Sequence, residues 1–124
     1  TKMQNRNGDS DLPTTMTVGG RTYDILSFLR RDGEPIKGNV MVDRAKKRNA
    51  HQSKSEREYL LAHQNEIPAA FQGEVVFLFT NDRHPDHPED VCCVGWSVDR
   101  WVPFWSWLAY VWSDDCRVLR RKSA

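Results

Sequence analysis

The chain has 124 residues, with 18 Lys and Arg against 17 Asp and Glu, for a formal charge of +1. That length supports one domain around one core, and that balance excludes a global field able to steer the whole molecule to nucleic acid or to an acidic membrane face. No stretch approaches the roughly 18 apolar residues that a membrane-spanning helix needs, and the odd set Cys92, Cys93 and Cys116, two of them neighbours, argues against a disulfide framework. With no apolar leader in the first residues, the expectation is a soluble, cytoplasmic protein.

Residues 1–14 are polar and nearly without large apolar groups, which predicts a flexible arm ahead of a single domain over residues 15–124. Thr15-Met16-Thr17-Val18 alternates with a period of two, Gly19-Gly20 supplies a tight turn, and Arg21-Thr22-Tyr23 reads as the return strand. Ile25, Leu26, Phe28 and Leu29 then recur at helical spacing behind Asp24 as N-cap, predicting a first helix over 24–31. Asn39 is positioned to cap a second helix over 39–48 that carries Val40, Met41, Val42 and Ala45, with Lys46, Lys47 and Arg48 at the end where the helix dipole favours cations. Ser55 followed by Glu58 reads as a capping box for a third helix over 56–65, which buries Tyr59, Leu60 and Leu61 and stops before Pro68.

Beyond Pro68 the period changes. Glu74 to Thr80 is a run of β-branched and aromatic residues, the signature of a strand covered on both faces. A loop from Asn81 to Glu89 leads to strands over Val91 to Trp96 and Arg100 to Trp107, joined by the turn Ser97-Val98-Asp99, and Arg117 to Arg120 reads as a last strand. The fold class expected is α+β, with N-terminal helices packed on a C-terminal antiparallel sheet.

All five tryptophans, at 96, 101, 105, 107 and 112, fall in that sheet segment. On an extended strand Trp101, Pro103, Trp105 and Trp107 share one face, and Val102, Phe104, Ser106 and Leu108 the other. Both faces are apolar, so one builds core while the other needs a cover or a partner. Residues 90–121 also contain no Lys, Glu, Gln or Met, although those types make up 18 of the first 89 residues. The disfavour of strands for Glu and Lys accounts for part of that gap. It does not account for spacers drawn from Cys, Val, Gly, Ser, Asp, Pro, Phe, Ala and Tyr.

This segment resembles the variable region of target proteins diversified by retroelements, in which adenines of a template are randomised and tryptophan, encoded without adenine, stays fixed. The resemblance covers the last quarter of the chain and departs from the family in lacking a Gly-rich closing motif and in ending on basic residues. It implies a C-type-lectin-like scaffold in which Trp96, Trp101, Trp105, Trp107, Leu108, Trp112 and Arg117 to Arg120 form the frame. It further implies that Cys92-Cys93, Ser97, Val98, Asp99, Pro103, Phe104, Ala109, Tyr110, Val111, Ser113, Asp114, Asp115 and Cys116 are the diversified positions. The functional expectation is a non-enzymatic recognition domain that binds a protein or small ligand through these spacers, with no cofactor and no catalytic residue.

Two other readings compete. His84, Asp86, His87 and Glu89, within residues 84–90, supply ligand types for a divalent ion and would make a small metal-dependent hydrolase, though their spacing matches no metal motif. The run Arg117 to Lys122 beside aromatics is the mixture that single-stranded nucleic acid uses, but a charged strand edge that deters aggregation explains it more simply. A nucleophilic cysteine paired with His84 or His87 is weaker still, because cysteine in a strand ordinarily behaves as a small hydrophobe.

Overall fold

The computed structural model describes residues 12–27, 36–109, 111–112 and 115–122. Strand β1 (Thr15–Val18) and strand β2 (Arg21–Ser27) form the expected hairpin, with Gly19 at φ 61° and Gly20 at φ 86° taking the left-handed backbone that a two-residue turn demands. Strand β2 does not stop at Tyr23. It runs through Asp24, Ile25 and Leu26, so residues 24–27 of the expected first helix are strand, and residues 28–31 lie outside the described residues.

The reason is burial on both sides. Tyr23 and Ile25 enter one core while Leu26 packs against a second. A strand covered on both faces shows neighbouring apolar residues just as a helix does. What decides is pairing with a strand almost a hundred positions away, Ile25 opposite Leu119 and Leu26 opposite Val118.

After β3 (Ile36–Lys37), helix α1 (Gly38–Lys47) buries Met41, Val42 and Ala45, and its N-cap is Lys37 rather than Asn39. Helix α2 (Lys54–Ala62) begins two residues earlier than expected, with Ser53 at the N-cap. The expected capping box is not formed: Ser55 lies inside the helix, its hydroxyl 3.2 Å from that of Ser53. Two 3₁₀ turns, Gln64–Glu66 and Ala69–Phe71, carry the chain past Pro68.

Strands β4 (Val76–Arg83), β5 (Asp90–Ser97), β6 (Arg100–Trp107), β7 (Val111–Trp112) and β8 (Cys116–Arg121) follow. The main sheet has the order β1-β2-β8-β4-β5-β6, and β3 pairs with β7 in a separate two-stranded ribbon. The fold is α+β, and the sheet is mixed rather than purely antiparallel, because β8 lies parallel to β4 while antiparallel to β2.

One face of the sheet carries Tyr23, Phe77, Phe79, Val94, Trp101 and Leu119 under Leu60, Ile67 and Phe71. The other carries Leu78, Val91, Cys93 and Val118 under Met41, Ala45 and Trp112. Leu12 packs against the first core, and the Thr14 carbonyl accepts a hydrogen bond from Ile25 N at 2.8 Å.

Glu56 is the charged residue of α2 that turns inward. It accepts from the Tyr23 hydroxyl and from Arg21 at 2.9 Å, with Arg121 3.9 Å away. Burial, and then the bonded Glu56 carboxylate, push the Tyr23 phenol well above its ordinary range.

Candidate functional site

Strands β5 and β6 pair without interruption, Cys92 opposite Trp105, Cys93 opposite Phe104, Val94 opposite Pro103 and Trp96 opposite Trp101. This register places Trp101, Pro103, Trp105 and Trp107 on one face and Val102, Phe104 and Ser106 on the other. Depth divides them differently. Trp101 is 2% exposed and packs on Phe77 and Trp96 at ring separations of 5.3 and 5.6 Å. Trp105 is 39% exposed, Phe104 41% and Trp107 49%.

Trp105 and Trp107 are therefore not part of the core, whereas Trp101 and Trp112 are, the latter buried with its indole N–H donating to the Leu108 carbonyl at 3.2 Å.

The division follows from β6 being the edge of the sheet. At its start, the Gln64 side-chain amide accepts from Trp101 N at 2.8 Å and donates to Trp101 O at 3.2 Å, standing in for a neighbouring strand. Pro103, at the next outward position, has no N–H to present. Past it the aromatic side chains meet solvent, and His84 packs edge-on against Trp105 at 5.0 Å.

Of the expected contact residues, Ser97, Val98, Asp99, Pro103, Phe104, Ala109 and Asp115 are all exposed. Tyr110, Ser113 and Asp114 lie outside the described residues, as does the side chain of Val111. Val98 is 92% exposed at φ 59°, a left-handed conformation that disfavours a β-branched residue. Cys92 and Cys93 are buried in opposite faces of β5, and Cys116 is buried in β8, so these three cannot serve as contacts.

Three of the exposed residues converge. Ser97 at the end of β5, Phe104 in β6 and Asp115 before β8 line one pocket of about 340 Å³, together with Glu74, Val76 and Gly95. The Val76 N–H donating to the Asp115 carbonyl at 2.8 Å brings the start of β4 and residue 115 side by side. Gly95 lets the Phe104 ring lie close on the sheet: a Cβ there would stand 3.1 Å from that ring and 3.8 Å from Val76. The lining holds two carboxylate residues, Glu74 and Asp115, and no cation. Glu74 and Gly95 escaped the sequence reading. An isolated glycine inside a strand is the signal that could have found the second, since it marks close approach by another group.

The competing sites are arranged for other ends. In the 84–90 loop, His84 Nδ1 accepts from the Asp86 N–H at 3.0 Å, His87 Nδ1 is 3.8 Å from Glu89, and the two imidazoles lie 5.0 Å apart, tilted by 45°. Among the described residues no group of three or more His, Cys, Asp and Glu is placed to hold a metal ion. Burial pushes the Cys92 thiol up to about 11 and the Cys93 thiol higher still, so neither is an ordinary nucleophile at neutral pH. The basic strand is engaged within the chain: Arg120 bonds Asp24 at 2.9 Å, Lys122 stands 3.7 Å from the same carboxylate, and Arg117 is buried, donating to Cys116 O.

Among the described residues no helix is long and apolar enough to cross a membrane. No family model, no curated protein and no solved structure matches this chain.

Proposed function

We propose that this chain is a recognition domain without chemistry of its own, and that it holds a protein partner at the β5–β6 end of its sheet. The observation that carries the reading is the run Phe104, Trp105 and Trp107, three large aromatic side chains exposed along one edge strand. Aromatics of this kind supply most of the energy at protein interfaces and lose little conformational entropy when they bind. An edge strand guarded by Gln64 and Pro103 offers them without offering a long open row of backbone groups, so side-chain docking is favoured over sheet extension.

The test places a photoreactive benzoylphenylalanine at Phe104 in the native host, with the same group at Lys54 on the exposed side of α2 as control. A discrete crosslink from position 104 that disappears when Trp105→Ser and Trp107→Ser are introduced together is the expected result. A crosslink pattern indifferent to that double substitution, with the fold intact, would sink the proposal.

A second reading, retroelement diversification of this surface, is favoured by one feature. Ser97, Val98, Asp99, Pro103, Phe104, Ala109 and Asp115 are exposed while Trp101, Trp112, Val118 and Leu119 are buried, although Cys92, Cys93 and Cys116 depart from that division by being buried too. It predicts a reverse transcriptase near the gene and a near-repeat of its 3′ coding segment that differs at adenines. Absence of both removes it. The lectin-like scaffold is not needed by either reading, which rest on β5, β6 and the pocket alone.

A further inference from the structure

Resting on the recognition reading, we infer that the pocket beneath Phe104 receives a cationic side chain, arginine or lysine, presented by the protein partner. Three independent features meet there. The first is size. About 340 Å³ lies at the low end of the roughly 300–1,000 Å³ typical of ligand pockets, enough for one long side chain and its hydration.

The second is the wall. Val76, Val102 and the Phe104 ring, which lies close over Gly95, make apolar sides. An alkyl stem packs well on such walls while its charged head stays at the mouth. A cation close to the face of an aromatic ring is also attracted by the ring quadrupole.

The third is sign. The chain as a whole carries +1, yet the pocket is lined by Glu74 and Asp115 and by no basic residue. An anionic ligand would meet two like charges and no basic side chain among the lining residues. A guanidinium can bond a carboxylate through two parallel N–H groups, and an ammonium through one, so the charge of the lining selects between ligand classes.

The probes are N-acetylarginine amide and its neutral isostere N-acetylcitrulline amide, each titrated into the ¹⁵N-labelled full chain. The expected result is a set of saturable shifts at the amides of Glu74, Gly95 and Ser97 with the arginine probe, in the millimolar range. The citrulline probe should bind at least about fivefold more weakly, and Glu74→Gln should weaken arginine binding roughly three- to tenfold. Because Gly95→Val would press on the Phe104 ring and risks the fold, Glu74→Gln at an exposed position is the decisive variant.

Equal shifts from both probes would overturn the inference, and so would shifts confined to the acidic 86–90 loop. The partner reading is separately scored. If the crosslink from position 104 persists in Glu74→Gln at undiminished yield, the cation inference fails while the recognition surface stands. If position 104 yields no crosslink at all, the recognition reading fails first.

Discussion

Trp101 and Trp105 lie on the same strand and the same face, yet one is 2% exposed and the other 39%. The difference is made by what lies over them. Trp101 sits where the 3₁₀ turn Gln64–Glu66 reaches the sheet, and Gln64 ties its backbone down on the open side. Trp105 has only the half-buried His84 ring beside it among the described aromatic contacts. Periodicity assigns a side chain to a face, but depth depends on a cover supplied from elsewhere in the chain.

The comparison is broken most directly by truncating each ring. Trp101→Ala should cost about 3–5 kcal/mol in urea unfolding, as expected for a large buried aromatic. Trp105→Ala should stay within about 1 kcal/mol. A comparable loss at both positions would mean that Trp105 is frame after all. Among the described residues the buried Trp101 indole N–H has no hydrogen-bond partner, a defect worth about 1–3 kcal/mol, so the packing of the ring has to outweigh it.

Gln64→Ala sharpens the account of the cover. It should lower stability by about 1–2 kcal/mol and speed hydrogen exchange at the Trp101 amide, because two bonds to the strand edge are lost. At the other end of the comparison, Val98→Asn should raise stability by about 0.5–1 kcal/mol. The exposed valine contributes little packing, and asparagine tolerates the left-handed backbone far better. Unchanged or reduced stability there would show that Val98 is held by more than its turn.

The smallest effect is a slope, on a region away from β6. His51, bonded to the Thr80 hydroxyl at 2.9 Å, has its pKa lowered by burial and then by the nearby cations Lys46 and Arg83. The unfolded chain therefore takes up the proton more readily than the folded one. Its contribution to stability is complete above the unfolded value of about 6.5 and is lost as the pH falls from there through the folded value. Stability of His51→Gln measured between neutral and mildly acidic pH should fall less steeply than that of the parent.

Much of this architecture was legible in residue patterns. The hairpin over residues 15–23, helices α1 and α2, and strands β4, β5 and β6 follow from local periodicity and turn chemistry, and each appears within a few residues of its expected place. Residues 24–27 misled because a doubly covered strand and a helix both place apolar residues next to one another, and the pairing with β8 that decides between them leaves no local trace. The pocket was half legible. Ser97, Phe104 and Asp115 were marked by their segment, whereas Glu74 joins them through the parallel alignment of β4 with β8, which no window of sequence reveals.

That alignment has a consequence for how the chain acquires its shape. Strand β8 is the last of the described elements, yet it sits third in the sheet, and the β1–β2 hairpin reaches the rest of the sheet only across it. During synthesis from the N-terminus the first hairpin emerges early and must wait, with Tyr23 and Ile25 uncovered on their sheet side, until residues 116–121 arrive to close the gap. Joining the hairpin to β4 thus requires inserting a wedge that forms antiparallel bonds to one neighbour and parallel bonds to the other, with a long loop-closure cost on the β2 side. A nascent chain halted before β8 would hold two unjoined halves, each with an exposed sheet edge, and would depend on chaperones to remain apart from its neighbours.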